Sequence, residues 1–510
     1  METTGFWAHV RVFGRELYVG TNSAPFVEAL QQILTLKKSV RVKGRWETER
    51  TPLYGIKRSA DGSRMELITL SGFIQAVLDN AALHNVAVRV EERSRVSGNG
   101  LVDSPLTNTI MMKPIELPRL SEYYDDLRDW QQEAIPLVCN FRFGQIKAST
   151  GAGKSFFVAL LAQLAVGVRM CVTTGELADL DNLYRAILER TSDVIMVNGT
   201  NAKQAAKYRI VCCAARSLHH VGDIDFDMLI GDEVHAMAGP SFRQSMWKIK
   251  APRAFGFSAN VNERADKQDL AVQGIFGPCI LERTYEQNMA AGDVVPIYYR
   301  FIHTSCSNEV KSSRPDIRKK AIIVANDNRN REFADVTRHY MEQGHQVLVI
   351  CDEVEHVIRM WHLLPEALGV YRDVSDTVVK RLTKLKMWND RYPRAYSTSQ
   401  LRAAQERFAS GEQRLAIANS VWHKGKDFPG LGVVIRLDGR ATKTAATQIG
   451  GRLSRKGTAY GIIVDGLDDF DTTAEHNSKE RGKQYNACGY KPISELTQTQ
   501  FDSQKNGGST

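Results

Sequence analysis

ASTGAGKS occupies residues 148–155, directly before the apolar stretch FFVALLAQLA. Gly151 and Gly153 allow successive backbone N–H groups to turn inward around an anion, while Lys154 supplies a positive charge and Ser155 a hydroxyl. A helix that begins here directs its free N–H groups at the same anion. The stretch therefore predicts a phosphate-binding loop between a strand and a helix of an α/β domain.

The loop departs from the general phosphate-loop pattern at one position, because Ala148 stands where the first glycine is usual. A glycine-rich turn without a ligand is the alternative interpretation. On the first interpretation, six residues are predicted to contact the nucleotide phosphates: Thr150, Gly151, Ala152, Gly153, Lys154 and Ser155.

Two carboxylates end a later apolar strand in the stretch FDMLIGDEVH. Phosphoryl transfer needs one carboxylate near a metal ion and a second that orients or deprotonates the attacking water. We assign Asp232 to Mg²⁺, together with Ser155, and Glu233 to the water. The pair alone is a weak signal, since a solvated turn also ends many strands, but behind a phosphate loop it predicts an ATP-hydrolysing site.

The order of the predicted elements divides the chain into four segments. Short β-branched strands alternate with helical stretches twice, which is typical of parallel sheets with crossover helices. A smaller strand-and-helix segment precedes them, and a polar tail, expected to end in disorder, follows. The predicted fold class is α/β: a small α+β domain (1–115), two parallel-sheet domains (116–296 and 297–470) and a C-terminal extension (471–510).

Composition and charge indicate the kind of partner and the cellular location to expect. The 510 residues carry a net charge of +9, which favours a polyanionic partner. We see no apolar run of the roughly 20 residues that a membrane helix needs and no secretory pattern. The eight cysteines include no C-x-x-C pair and lie partly in apolar strands, as reduced cytosolic cysteines do. The expected location is the cytoplasm, without a membrane partner.

A third signal, QIGGRLSR, lies at residues 448–455 in the second predicted α/β domain. Arg452 and Arg455 are three residues apart and share one face of a helix. They are predicted to act as arginine fingers on the γ-phosphate, with Gln448 beside them. The alternative is a pair of solvated surface arginines.

The three blocks, in this order, resemble the motifs of superfamily two helicases. The resemblance implies two RecA-like domains, ATP with Mg²⁺, and a nucleic-acid partner. LRDWQQEAI (127–135) is similar to the element that reads adenine, which implies nucleotide contacts for Arg128 and Gln131, with Trp130 in place of the usual Tyr.

Other motifs of this family have counterparts too. VTT (172–174) and VCCAARSL (211–218) resemble segments that touch the nucleic acid, and GFSAN (256–260) resembles the motif that couples hydrolysis to movement. ERADKQD (263–269) is similar to an element of XPB-type helicases, and WHKGKDFPG (422–430) is similar to motif five. The implied nucleic-acid contacts are Thr173, Thr174 and Arg216, although a usual Thr is absent near Arg216. The implied coupling residues are Ser258, Ala259 and Asn260, and the implied nucleotide contacts in motif five are Gly425 and Asp427.

Within the superfamily the layout looks like that of bacteriophage UvsW-type DNA helicases, which have a small domain ahead of the motor. EHNSKERGKQY (475–485) resembles their His-x-Ser-x-x-Arg element. This resemblance implies DNA, single-stranded or duplex and especially branched, and a role in recombination or repair. It also implies a host-cytoplasmic location, a monomer, and single-strand-binding or recombination proteins as partners. An RNA helicase and a double-strand DNA translocase share the same motor motifs, and a non-enzymatic nucleic-acid-binding protein is a third alternative.

Two basic segments are candidate nucleic-acid contacts. In SVRVKGRW the cations Arg41, Lys43 and Arg45 would share one face of a strand, or form an ordinary solvated face. Residues 378–396 mix cations with aromatic rings, which suits phosphates and bases, or form an amphipathic helix that packs on its own domain with Val379, Leu382 and Leu385 or Met387 inward. The candidates in the second segment are Lys384, Lys386, Trp388, Arg391 and Arg394.

Overall fold

The structure is a computed structural model of the 510-residue chain. It describes residues 6–13, 16–42, 45–58, 65–92, 112–259, 269–306, 314–419, 422, 428–439, 441, 443–453 and 458–496. The chain divides into two compact units, Met1–Ala148 with Gly153–Thr284, and Ser149–Ala152 with Tyr285–Thr510.

The first part of the chain forms a five-stranded sheet in the order β5-β6-β2-β1-β7, with a separate hairpin of β3 and β4. Alternation explains the sheet, since Ala8, Val10 and Val12 of β1 are buried while their neighbours in sequence face outward. Helices α1 and α2 cover the buried face. The elements are β1 Trp7–Phe13, β2 Glu16–Thr21, α1 Ala24–Ile33, β3 Thr35–Val42, β4 Arg45–Pro52, β5 Tyr54–Arg58, β6 Met65–Leu70, α2 Ile74–Leu83 and β7 Ala87–Glu92.

The second sheet has seven parallel strands in the order β10-β11-β9-β12-β13-β8-β14. Its central strands are buried along their whole length, because helices cover both faces of a parallel sheet. The elements are α3 Asp129–Asn140, β8 Phe143–Ala148, α4 Lys154–Leu164, β9 Met170–Thr174, α5 Leu177–Leu188, β10 Val194–Val197, β11 Ile210–Cys213, β12 Met228–Asp232, α6 Pro240–Trp247, β13 Arg253–Ser258, α7 Asp269–Phe276, β14 Cys279–Arg283 and α8 Tyr285–Ala290.

The third sheet repeats this architecture, with seven parallel strands in the order β17-β18-β16-β19-β20-β15-β21. Two such sheets after a small α+β domain confirm the predicted fold class. The elements are β15 Ile297–His303, α9 Pro315–Lys319, α10 Asp327–Glu342, β16 Gln346–Ile350, α11 Val354–Leu363, β17 Leu368–Val370, α12 Asp376–Lys384, α13 Thr398–Ala409, β18 Leu415–Ala418, β19 Leu431–Arg436, α14 Lys443–Leu453, β20 Gly461–Leu467, α15 Thr472–Ala487 and β21 Lys491–Pro492.

In the part of the chain that the structure describes, no helix is both long and apolar enough to cross a membrane.

Candidate nucleotide and nucleic-acid sites

The carboxyl ends of four neighbouring strands bring the predicted nucleotide residues together in the second sheet. Lys147 of β8 pairs with Ser258 of β13, and Asp232 of β12 pairs with Phe257 of β13 and Thr174 of β9. Ligands of open α/β sheets bind at this edge. The phosphate loop after β8 and the carboxylates after β12 therefore emerge side by side.

The loop before α4 has the backbone that an anion cradle requires. Gly151 and Gly153 both have φ of +88°, a conformation that favours glycine. Lys154 begins the helix, is 7% exposed, and donates from Nζ to the carbonyl oxygen of Ala148 over 3.1 Å. Because Ala148 is extended and contributes only its carbonyl group there, glycine is not needed at this position.

Gln131 is buried against the same loop. Its Nε2 donates to the carbonyl oxygen of Gly153 over 3.1 Å, and its Oε1 accepts from the backbone N–H of Arg128 over 3.0 Å. Trp130 beside it is fully buried, 5.5 Å from the ring of Phe157. The first residues of α3 are thus fixed next to the phosphate loop, and base reading by Gln131 stays a prediction.

The two carboxylates after β12 differ sharply in their surroundings. Asp232 is 6% exposed, and its Oδ1 accepts from the N–H of Glu233 over 3.0 Å. Glu233 has φ of +52°, which is uncommon for a residue with a Cβ. Its Oε1 lies 3.6 Å from Nζ of Lys154, and its Oε2 lies 3.2 Å from Nδ1 of His235. The left-handed turn thus presents the carboxylate to both the Lys154 ammonium group and the His235 imidazole.

His235 extends this cluster to the neighbouring strand, because its Nδ1 also lies 2.9 Å from Oγ of Ser258. A continuous series of polar contacts therefore runs from Lys154 through Glu233 and His235 to Ser258. The sequence analysis did not single out His235. The available signal was its place two residues after Glu233, but the pairing with Ser258 depends on how β12 and β13 align.

The pKa values of the two carboxyl groups are shifted in opposite directions. Burial, together with the charge of Glu233, raises the pKa of Asp232 to about 7 against the opposing effect of Lys154. Burial also acts to raise the pKa of Glu233, but Lys154 and His235 outweigh it and hold that pKa at about 2. Glu233 is therefore the ionised member of the pair at neutral pH, while Asp232 holds its proton more tightly than an ordinary Asp.

The donor groups at this edge suit Mg²⁺. A carboxylate (Asp232) and a hydroxyl (Ser155) are hard oxygen ligands, and Mg²⁺ in phosphoryl-transfer sites takes one or two protein ligands, with phosphates and water completing its shell. The raised pKa of buried Asp232 indicates a carboxylate that lacks sufficient positive charge nearby, and a cation would supply it. Among the described residues no cluster of three His, Cys, Asp or Glu side chains could hold a metal without a nucleotide.

The coupling and nucleic-acid residues predicted in the first parallel domain are mostly buried. Thr173 and Thr174 are fully buried at the end of β9, and Oγ1 of Thr174 donates to the carbonyl oxygen of Glu176. Ser258 is also buried, whereas Arg216 is exposed and lies 5.4 Å from the ring of Phe242. Of these side chains only Arg216 is exposed enough to contact a polynucleotide directly.

The other predicted residues are only partly described. Gln448 is half-buried on α14, and Arg452 on the same helix is 4% exposed. Five predicted site residues and the XPB-like element lie outside the described residues: Lys43, Asn260, Gly425, Asp427, Arg455 and residues 263–268.

The prediction that residues 39–46 form one strand is wrong. β3 ends at Val42 and β4 begins at Arg45, and Arg41 pairs with Trp46 across the hairpin. Arg41 and Arg45 therefore lie on two antiparallel strands rather than along one. The alternation of charge with apolar residues does not distinguish one strand from two that turn back.

In segment 378–396 the apolar and aromatic residues pack on their own domain, as one interpretation predicts, whereas the cations stay exposed, as the other requires. Val379 and Leu382 of α12 are buried, and Tyr392 packs 5.1 Å from Trp361, so the apolar and aromatic residues join the core of their own domain. Trp388 is half-buried, 5.8 Å from Tyr392. The cations remain exposed, although Arg394 pairs with Asp376 and Arg391 lies over Trp361: Lys384, Lys386, Arg391 and Arg394. Of the two alternatives predicted to face inward, Met387 is partly buried against this core, whereas Leu385 is 48% exposed.

The His-x-Ser-x-x-Arg element forms part of α15, and its three residues differ in role. Arg481 is buried, and it donates to Asp465 over 2.9 Å and to the carbonyl oxygen of Gly466 over 2.7 Å. Ser478 is also buried, and its Oγ accepts from the N–H of Asp468 over 3.0 Å. His476 is exposed. Two of the three residues therefore fasten α15 to the end of β20.

Known proteins resemble this chain in sequence and in fold. Residues 125–263 match the family model described as the type III restriction enzyme, res subunit. DNA 3'-5' translocase XPB2 of Sulfurisphaera tokodaii is 22% identical over 371 residues, which cover 67% of this chain and 81% of that protein.

Two solved structures extend the comparison. S. cerevisiae Dbp5 bound to RNA and ADP BeF3 aligns with a TM-score of 0.51 at 12% identity, over 76% of this chain and 97% of its own. T4 UvsW aligns with a TM-score of 0.40 at 15% identity, over 96% and 98%. The likeness to Dbp5 agrees with two RecA-like domains in tandem. In sequence, the chain is therefore similar to the type III restriction enzyme res-subunit family over residues 125–263 and, over 67% of its length, to an XPB2 translocase.

Proposed function

We propose that the chain hydrolyses ATP with Mg²⁺ and uses the cycle to move on DNA, unwinding or branch-migrating forks and four-way junctions in recombination or repair. The observation that carries the ATP step is the contact series from Lys154 through Glu233 and His235 to Ser258, beside Asp232. It joins a phosphate-binding lysine, an ionised carboxylate and the proposed coupling segment at one edge of a sheet.

In the proposed reaction, water attacks the γ-phosphorus of ATP while the bond from that phosphorus to the β,γ-bridging oxygen breaks. Glu233 is ionised, and it orients the water and accepts its proton, which leaves ADP and inorganic phosphate. Nζ of Lys154 lies 3.6 Å from the Glu233 carboxylate, and ATP phosphates would compete for this ammonium group. Bound Mg²⁺, held by Ser155 and Asp232, would neutralise phosphate charge.

The remaining site residues are proposed in the roles that the resemblance implies. Gln448, Arg452 and Arg455 act on the γ-phosphate, and Ser258, Ala259 and Asn260 couple hydrolysis to movement. Arg128, Gln131, Gly425 and Asp427 complete the nucleotide contacts.

DNA is the proposed partner because of two observations. The chain is similar to a protein described as a DNA translocase. In addition, α12 with the segment after it exposes five cations: Lys380, Lys384, Lys386, Arg391 and Arg394. A double-strand DNA translocase without unwinding is the second candidate, and the same similarity favours it. The UvsW-like layout supports branched substrates.

The test is ATP hydrolysis by the whole chain with single-stranded DNA, duplex, fork, four-way junction or RNA, followed by strand displacement on the fork. We expect the fork and the junction to stimulate most. Lys154→Ala should reduce hydrolysis by about a hundredfold or more, as loss of a donor to transition-state charge does. Stimulation by RNA alone would overturn the proposal, and movement without displacement would favour the second candidate.

A further inference from the structure

The turn that carries Glu233 is packed against two glycines on neighbouring strands. Gly231 of β12 pairs with Gly256 of β13, and neither has a side chain to cover the sheet. A Cβ on Gly231 would lie 2.6 Å from both Phe276 Cζ and Val234 Cγ1, and a Cβ on Gly256 would lie 3.0 Å from Phe276 Cγ. Phe276 and Val234 therefore fill the space above both glycines.

This packing fixes the uncommon backbone conformation of Glu233. Left-handed φ in a residue with a Cβ is strained and persists only where neighbouring structure enforces it. Val234 follows Glu233 directly, is 1% exposed and lies over the glycine pair together with the Phe276 ring. If the ring withdrew, Val234 would lose part of the surface that holds the turn.

Phe276 belongs to α7, whose opposite side packs on the N-terminal domain. Gly274 and Phe276 are two residues apart and so point roughly 200° away from each other around the helix. A Cβ on Gly274 would lie 2.6 Å from Phe73 Cε2 and 2.7 Å from Leu70 Cδ1. A Cβ on Gly72 would lie 2.5 Å from the carbonyl oxygen of Gln273. The absence of side chains at both glycines permits this close approach.

The N-terminal domain and the first parallel domain also share one hydrophobic core, to which Leu70, Phe73 and Phe276 all belong. A second contact ties the two together, because Nε1 of Trp247 donates to Glu16 over 3.0 Å. The N-terminal domain is therefore packed against α7 and supports it, rather than being joined to the first parallel domain only by a linker.

We infer that α7 is a strut through which the N-terminal domain holds Glu233 in position for hydrolysis, with Gly274 and Phe276 as positioning residues. The inference rests on the proposed ATP hydrolysis and adds to it that the N-terminal domain sets the turnover rate, whether or not it binds DNA. ATP binding depends on the phosphate loop, which follows the end of β8. The residue after α7, Gly277, packs against Phe143 at the opposite end of that strand, so the strut acts on turnover more than on affinity.

The test compares Gly274→Ala with Gly199→Ala in the full chain. Gly199 lies in the same domain, and a Cβ there meets nothing within 4 Å. We expect Gly274→Ala to lower kcat for DNA-stimulated ATP hydrolysis by about ten- to a hundredfold, since a displacement of about 1 Å in a catalytic group costs up to about a hundredfold. KM for ATP should stay within about twofold by the same reasoning. Gly199→Ala should leave both constants unchanged.

A rescue variant separates positioning from general damage. Phe73→Leu removes two of the three atoms that a Cβ on Gly274 would approach most closely, Cε2 and Cζ of the ring, and leaves Leu70 Cδ1 in place. The double variant Phe73→Leu/Gly274→Ala should therefore recover part of the lost kcat. An unchanged kcat in Gly274→Ala, or a loss that the double variant does not recover, would overturn the inference while leaving the proposed function intact. Absence of ATP hydrolysis by the wild-type chain with every nucleic acid would overturn both.

Discussion

Nδ1 of His235 lies 2.9 Å from Oγ of Ser258 and so links the turn after β12 to the end of β13. The same nitrogen lies 3.2 Å from the Glu233 carboxylate, which places the imidazole between a proposed hydrolytic group and the proposed coupling segment. Movement of either strand end changes the distance to the shared nitrogen. The imidazole is thus the shortest described connection between the two functions.

We predict that His235→Ala lowers kcat for ATP hydrolysis. A hydrogen bond to a charged group contributes about 1.5–3 kcal/mol, which corresponds to roughly ten- to a hundredfold in rate. Loss of His235 also removes one of the influences that lower the pKa of Glu233. Steady-state kinetics would measure the change, with His220→Ala, an exposed histidine of the same domain, as control. Equal rates for the two variants would contradict the assigned position of His235.

The raised pKa of Asp232 predicts a pH-dependent stability. Burial raises it from 3.8 to about 7, so between these values the folded protein keeps a proton that the unfolded chain has released. The contribution of this group to stability is therefore present below about pH 4 and is lost as the pH rises through 7. The asparagine in Asp232→Asn does not titrate. Measured without nucleotide, the Tm of this variant should exceed that of the wild type by more at pH 8 than at pH 5.

Thermal unfolding at the two pH values measures this difference. Asp225→Asn is the control, because Asp225 is exposed on the loop before β12. A gain in Tm for Asp232→Asn that is equal at both pH values would show that the burial of Asp232 carries no such penalty.

The exposed cations after α12 predict a change in the salt dependence of DNA binding. We expect Lys384→Ala/Lys386→Ala to weaken binding and to reduce the slope of log Kobs against log salt by roughly 1.4–1.8, if each lysine meets one phosphate. Fluorescence anisotropy from low to moderate salt would measure it. Lys479→Ala/Lys483→Ala is the matched control, since these exposed lysines on α15 pair with glutamates of their own helix. The same slope in both double variants would exclude the segment.

The buried arginine and the exposed histidine of the His-x-Ser-x-x-Arg element are predicted to differ in their effect on stability. Arg481→Ala takes from buried Asp465 its closest cation, while Asp468 keeps Arg329 at 2.8 Å. Breaking a buried pair costs about 3–5 kcal/mol of unfolding free energy. His476→Ala changes an exposed side chain and should stay within about 0.5 kcal/mol. Denaturant unfolding of the full chain would compare them. Equal stability of the two variants would show that the buried pairs do not hold α15.

Much of the fold follows from the sequence because its signals are local. The glycines of the phosphate loop and the apolar strand before Asp232 each specify their own element, and the order of strands and helices specifies the two parallel sheets. The register that brings Lys147 opposite Ser258 is not local, since it depends on packing over the whole sheet. That is why the His235 contacts were missed.

Burial was the second quantity that the sequence did not reveal. Thr173 and Thr174 were predicted to touch nucleic acid, yet the strand end hides both hydroxyl groups. The aromatic residues after α12 were compatible with stacking on bases or packing inward. Whether they pack inward depends on Trp361, which lies on another helix and packs against Tyr392.

The buried pair of Asp465 and Arg481 limits how this sequence can change over generations. A single substitution at either position breaks the closest pair of a buried charge network, in which Arg481 also meets Asp468 and Asp465 also lies 3.9 Å from Arg436. Breaking a buried pair costs about 3–5 kcal/mol, a large part of the roughly 5–15 kcal/mol that keeps a protein folded. A lineage can therefore leave this arrangement only by replacing both partners together or by first gaining stability elsewhere. Relatives should accordingly keep both residues or neither, and the two positions should co-vary.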